Sequence, residues 1–187
     1  MELQSFPEGS SPDFKNKSWT IAAEVTIPEG GANGVLATIG GRYGGWALLV
    51  QDGKPQFAYA YSNQPEHKFR VASDQPLAPG NHVIRFKFDY EGGGIGKAAT
   101  GTLLVDEKQV AQGRIAQTIP VRFSLDETFD VGEDTGTPVL EEYADKMPFR
   151  FTGTLKRFVV VLEPLKLTAD EQRRLHEELA KAMAAVQ

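Results

Sequence analysis

Nine consecutive residues constrain this chain more than any other feature. In Trp19-Thr20-Ile21-Ala22-Ala23-Glu24-Val25-Thr26-Ile27, Trp19, Ile21, Ala23, Val25 and Ile27 fall at every second position. Successive side chains of an extended chain point to opposite faces. The pattern therefore builds a strand with one dry face and one wet face, and a helix cannot use it. Asn81 to Tyr90 reads the same way, with Val83, Arg85 and Lys87 alternating against Ile84, Phe86 and Phe88. Strands that are dry on one side need a second layer to cover them.

Shorter extended runs follow at 35–39, 46–51, 56–61 and 67–72, with a hairpin over 100–114 and a long strand over 149–162. Turn chemistry separates them. Pro28-Glu29-Gly30-Gly31 ends the first strand, Asp52-Gly53 suits a tight hairpin, and Asp106-Glu107-Lys108 suits another. About ten strands at roughly 8–12-residue spacing, with nothing helical between them, predict an all-β chain: an antiparallel jelly-roll-type β-sandwich spanning 17–165. Residues 1–16, broken by proline, glycine and serine, read as a tail or linker. Residues 166–187 read as one C-terminal α-helix. Thr168 and Glu171 form a capping box, and Leu175, Leu179, Met183 and Val186 recur at helical spacing, a stripe expected to pack on the sandwich or a partner.

Composition narrows the function. The chain has no cysteine, which removes disulfides, thiolate metal sites and thiol nucleophiles together. A net charge of −5 without Lys/Arg clusters argues against nucleic acid and against anionic membranes. No window approaches the apolar length of a bilayer span. The N-terminal residues lack the basic and apolar regions of a signal peptide, so the expected location is cytoplasmic, or periplasmic or secreted if the chain belongs to a larger precursor.

Familiar catalytic patterns fail at identifiable positions. Gly92-Gly93-Gly94-Ile95-Gly96-Lys97 has Glu91 where a P-loop needs its first Gly and Ala98 where it needs Ser or Thr. His67, His82 and His176 have no metal-ligand spacing, and no Gly-x-Ser-x-Gly elbow is present. Glu24, Glu29, Asp126, Glu127, Glu141 and Glu142 lack the alternation that places an acid and a nucleophile on one strand face, which disfavours glycoside hydrolysis.

Two stretches stand out as candidate binding elements. Within Ser124–Pro138, Asp126, Asp130, Glu133 and Asp134 are candidate ligands for a hard cation, Ca²⁺. The preferred alternative is a polar connection whose Asp side chains cap turns. Phe129 and Val131 are candidates to anchor this loop, to the core or to a neighbouring domain. Gly40-Gly41-Arg42-Tyr43-Gly44-Gly45-Trp46 places residue types of recognition surfaces on a glycine-rich turn. Arg42, Tyr43 and Trp46 are the candidate ligand or interface residues there, although burial of Trp46 between sheets is the preferred reading.

The span from Asn16 to Leu162 resembles the C-terminal domain of bacterial arylsulfatases, a concanavalin A-like (laminin G-like) sandwich. The matching phrases are Asn-Lys-Ser at 16–18, Ile-Pro-Glu-Gly-Gly at 27–31, Gly-Gly-Arg-Tyr-Gly-Gly-Trp at 40–46 and Phe-Asp-Tyr-Glu-Gly-Gly-Gly-Ile-Gly-Lys at 88–97. The most distinctive is Ser-Leu-Asp-Glu-Thr-Phe-Asp-Val-Gly-Glu-Asp-Thr-Gly-Thr-Pro-Val at 124–139. In that family the ester-cleaving chemistry uses a formylglycine in an upstream domain. Ser10-Ser11-Pro12-Asp13-Phe14 matches only the Ser-x-Pro part of its motif, so no catalytic residue carries over. The resemblance implies an accessory domain of a sulfuric ester hydrolase whose partner is a sulfatase catalytic domain, in the same or a separate chain. An apolar patch near 124–139 would favour such docking. The alternative is a free-standing lectin-like module binding glycans, motivated by Tyr43, Trp46, Tyr59 and Tyr61.

Overall fold

The computed structural model describes residues 4–165 and 167–184. It is an all-β antiparallel sandwich of two sheets with one helix at the C-terminal end. Sheet A contains β1 (Gln4–Pro7), β10 (Thr128–Val131), β3 (Gly34–Gly41), β4 (Gly44–Gln51), β5 (Lys54–Ala60) and β6 (Lys68–Ala72), in that spatial order. Sheet B contains β11 (Thr154–Leu162), β2 (Trp19–Ile27), β7 (Gly80–Tyr90), β8 (Ala99–Val105) and β9 (Lys108–Ile115). The helix α1 covers Ala169–Ala184.

The alternation read from the sequence is the alternation observed. In β2 every odd-numbered residue from Trp19 to Ile27 is buried and every even-numbered one is partly exposed. The interior between the sheets is rich in aromatics. Phe57 stacks on Phe86 at 3.7 Å, Trp19 stacks on Phe88 at 4.5 Å, and Trp46 lies 5.4 Å from Trp19. Both tight hairpins use left-handed backbone at their tips, with φ of +51° and +74° at Asp52 and Gly53, and of +51° and +65° at Asp106 and Glu107. That geometry matches the strand twist; Asp-Gly adopts it readily in the first turn, and Asp106-Glu107 is held in it in the second.

Two sequence expectations change. The residues read as a tail belong to the sandwich from Gln4 onward. β1 pairs with β10, and Phe14 is buried against Trp19, Trp46 and Phe129. The proline and glycine breaks concealed these short contacts. The long strand expected over 149–162 begins only at Thr154, because Phe149 to Phe151 run beside β3 instead, bridged at Val35 and Arg150. The capping box forms as expected, since the Glu171 carboxylate accepts from the Thr168 N–H at 2.7 Å. Of the helical stripe, Val186 and the side chains of Leu175, Leu179 and Met183 lie outside the described residues.

A second apolar cluster sits on the outside of sheet A. Val35, Ala47, Leu49, Ala58 and Ala60 point away from the main core and are covered by Val139, Leu140, Tyr143 and Phe149. The segment 132–149, with a 3₁₀ turn over Glu141–Lys146, thus plugs this face.

Candidate functional site

The two stretches singled out in the sequence meet at one end of the sandwich. The turn between β3 and β4 carries Arg42 and Tyr43, and it leans on the loop that leads into and out of β10. Arg42 donates its backbone N–H to Thr137 Oγ1 at 3.2 Å. Glu127 accepts from the Thr137 N–H at 3.1 Å and from its hydroxyl at 2.7 Å. Two glycines make this approach possible: a Cβ on Gly41 would overlap Thr137, and one on Gly136 would overlap the Glu127 carboxylate. Lys68 completes the joint by donating to the carbonyls of Arg42 at 2.6 Å and Val139 at 2.9 Å. Burial, helped by the nearby Arg42 charge, holds the Lys68 ammonium below its ordinary pKa.

A second loop forms the opposite wall. The backbone N–H groups of Phe123 and Ser124 both donate to the Glu8 carboxylate, each at 3.1 Å. Lys15 bridges Glu8 and Asp13 at 2.9 Å each, and its ammonium lies 5.4 Å from the centre of the Phe123 ring. The N-terminal segment is therefore a strut under this wall. Between the walls is a shallow dent of about 20 Å³ lined by Gly41, Tyr43, Gly44, Phe123, Ser124, Glu127 and Thr137. Tyr43 is 68% exposed above it, and Leu125 on the facing loop is 72% exposed.

The expected site residues divide sharply. Arg42 and Tyr43 lie at the rim, with Arg42 3.3 Å from Glu141. Trp46 and Phe129 are core residues and present nothing to a ligand, because β4 and β10 turn both rings inward. Tyr59 is buried as well, and its hydroxyl accepts from the Ile119 N–H at 2.8 Å. Tyr61 is half-buried and stands edge-on to His67.

The four candidate Ca²⁺ ligands do not converge. Asp126 is exposed, and Glu133 lies 3.4 Å from Arg150. Asp130 is buried on the outer side of sheet A, where it accepts from the Thr128 hydroxyl at 2.5 Å, the Thr135 hydroxyl at 2.5 Å and the Thr135 N–H at 3.0 Å. Asp134 is buried too, accepting from the Tyr143 hydroxyl at 2.9 Å and the Gly136 N–H at 3.2 Å. Among the described residues no three His, Asp or Glu side chains are grouped as a metal ion requires. The loop's own hydroxyls and amides occupy the buried carboxylates instead. Burial pushes the Asp134 carboxyl up to about 7, and the neighbouring Asp130 and Glu127 charges add to the shift.

The resemblance phrases also acquire physical roles. Asn16 adopts φ +57° and ties three loops at one end, donating to the Pro120 carbonyl at 2.7 Å and accepting from the Gly96 N–H at 2.9 Å. Ser18 accepts from the Tyr90 N–H, and the Tyr90 hydroxyl donates to the Gly94 carbonyl at 2.6 Å. These residues hold the Gly92–Lys97 connection in place. Sequence reasoning missed Ser124, Thr137, Leu125 and Lys68, whose importance comes only from the meeting of distant loops.

No protein-family model matches the chain, and the curated proteins contain no significant sequence match. Solved structures do match. The chain is similar to the CBM40 domain of the Ruminococcus gnavus IT-sialidase bound to α2,3-sialyllactose, with a TM-score of 0.55 and 14% identity over 90% of this chain and 89% of that one. The same domain bound to α2,6-sialyllactose gives 0.53 and 15% identity over 92% of each. The leech intramolecular trans-sialidase complexed with 2,7-anhydro-Neu5Ac gives 0.53 and 12% identity, over 92% of this chain and 26% of that one. These likenesses show the fold alone, a jelly-roll sandwich of two antiparallel sheets. They lend the arylsulfatase resemblance no support.

Proposed function

We propose that this chain is a non-catalytic, lectin-like module that binds glycans at the rim formed by Tyr43, Ser124, Glu127 and Thr137. The carrying observation is the Tyr43 ring, 68% exposed at the tip of a turn whose preceding residue, Arg42, is held through both its N–H and its C=O. An aromatic face held in the open offers a sugar ring apolar contact, and nearby hydroxyl and carboxylate groups fix its orientation. The similar CBM40 domain quoted above was solved with α2,3- and α2,6-sialyllactose, which supports a glycan as the ligand class. Tyr43 is mostly exposed, so its removal should leave the packed core intact and report on binding. On a glycan array, with and without Ca²⁺, the wild-type chain should show a defined set of signals that Tyr43→Ala reduces at least about tenfold, with an unchanged melting temperature. Uniform silence of the wild type defeats the reading.

The second reading is an accessory domain that packs on a sulfatase catalytic domain and shapes access to it. It rests on the sequence resemblance. The apolar patch that would favour docking through 124–139 is not formed there: Leu125 stands exposed by itself, while Phe129, Val131, Val139 and Leu140 are buried. Titrating the chain against a sulfatase catalytic domain decides it, since no association at high micromolar concentration removes the reading.

A further inference from the structure

The two sheets are unequal, and the inequality leaves a gap. Among the described residues sheet A has six strands and sheet B five. Ring contacts show how the strands are stacked: β5 lies over β7 through Phe57 and Phe86, β4 over β2 through Trp46 and Trp19, and β10 over β11 through Phe129 and Phe158 at 6.3 Å. β1 lies one strand further out than β10, beyond the margin of sheet B. Phe6 is opposite Phe129 in the β1–β10 register, so it faces inward, yet it is 37% exposed. Leu162 is opposite Trp19 in the β11–β2 register and also faces inward, yet it is 38% exposed. A single exposed apolar residue is ordinary. Two inward-facing ones on the same margin mark a place where the second layer is short by a strand.

The edge beneath is ready to pair. Among the described residues β11 pairs only with β2, which leaves its outer row of N–H and C=O groups open. Its run Phe158-Val159-Val160-Val161-Leu162 contains no charge and no proline, the usual guards of an exposed edge. Charge returns only at the two ends, with Lys156 and Arg157 before the run and Glu163 after it.

We propose that this margin receives an extended segment of another polypeptide as the sixth strand of sheet B, pairing with β11 and seating alternate apolar side chains under β1 against Phe6 and Leu162. Backbone pairing supplies affinity in such strand addition, and the pockets for alternate side chains supply selectivity. The end charges define the partner further: an antiparallel segment fits when it is basic near its N-terminal end, opposite Glu163, and acidic near its C-terminal end, opposite Lys156 and Arg157. A second copy of this chain does not fit. Pairing β11 with β11 would bring the copy's β10, which lies over its own β11, into the place that β1 occupies.

The test uses the full chain and a blocked synthetic peptide, Lys-Val-Thr-Val-Thr-Val-Thr-Glu, whose valines fall opposite Leu162, Val160 and Phe158, at millimolar excess, read by amide hydrogen exchange. Alternate amides of 157–162 should exchange at least about tenfold more slowly with the peptide, and the charge-reversed peptide should protect less. Leu162→Lys and Phe6→Lys, both at partly exposed positions, should remove the protection while the melting temperature stays close to wild type. Tyr43→Ala should leave it intact, which separates this margin from the glycan rim. Absence of protection, or protection that survives Leu162→Lys, overturns the proposal. So does a concentration-dependent dimer that Leu162→Lys abolishes, because it would make a second copy the occupant.

Discussion

Ala47, Leu49, Ala58 and Ala60 point away from the core on sheet A, just as Ala22, Glu24, Arg85 and Lys87 do on sheet B. The first group is wholly buried beneath the 132–149 segment, and the second is half-buried or exposed. The small side chains of sheet A leave room for Leu140, Tyr143 and Phe149 to lie close against it, whereas the long charged ones of sheet B hold solvent. The difference shows what a covering loop does to a sandwich of this kind. It converts one outer face into a second core and denies that face to any ligand. The rim, where the covering loop ends against the β3–β4 turn, and the uncovered sheet stay open to solvent.

The largest test of this contrast removes the cover's central ring. Tyr143 is fully buried, and its hydroxyl accepts from the Val139 N–H while donating to Asp134. Tyr143→Ala should cost about 3–5 kcal/mol in urea unfolding, as cavity formation in a core does. A cost close to that of a surface substitution would show that the segment merely rests on sheet A.

The second test uses pH. The folded chain holds the Asp134 carboxyl at about 7, against an ordinary value of 3.8. Between those values the folded state keeps a proton that the unfolded state has lost. The contribution of this group to stability is therefore full below about pH 4, falls as pH rises through 7, and is constant above that. Asp134→Asn removes the group, so the stability difference between variant and wild type should change by on the order of 4 kcal/mol between about pH 4 and pH 8, the variant gaining on wild type as pH rises. A pH-independent difference would place Asp134 in water and the cover open.

Much of this contrast was already written in the residues. Strict alternation in β2 and β7 marks strands wet on one side, and the architecture follows from it. The run Trp46-Ala47-Leu48-Leu49-Val50 in β4 is apolar throughout, and the same holds for most of β3 and β5. That is the pattern of strands covered on both faces, which foretells a cover without identifying it. What supplies the cover could not be read locally, because 132–149 looks like an acidic loop until Tyr143 and Phe149 are seen to meet Ala58 and Leu49 in space. The short strands β1 and β10 were hidden for a related reason, since four residues carry too little period to register. At the rim, Arg42 and Tyr43 were legible from composition on a glycine turn. Thr137 and Lys68 were not, as each bonds a loop distant in sequence, and neither was Glu127, whose partner Thr137 lies on the far side of β10. The candidate Ca²⁺ ligands show the reverse error, in which neighbours in sequence turn their side chains to different partners.

The smallest test concerns the bare face. Arg157 and Glu24 approach to 3.7 Å across β11 and β2, with 67% and 45% of their side chains exposed. Water screens such a pair, and ordering two long side chains offsets most of its attraction, so Arg157→Gln should change stability by no more than about 0.5 kcal/mol. The value of the measurement lies in its upper bound. A loss above about 1.5 kcal/mol would mean that the pair is desolvated in solution, since only a dry ion pair leaves an uncompensated partner when it is broken. Sheet B would then be covered as sheet A is, by some part of the assembly that binds there, and the two faces would cease to differ. A negligible loss keeps sheet B open, with the rim and the β11 margin as the surfaces proposed for binding.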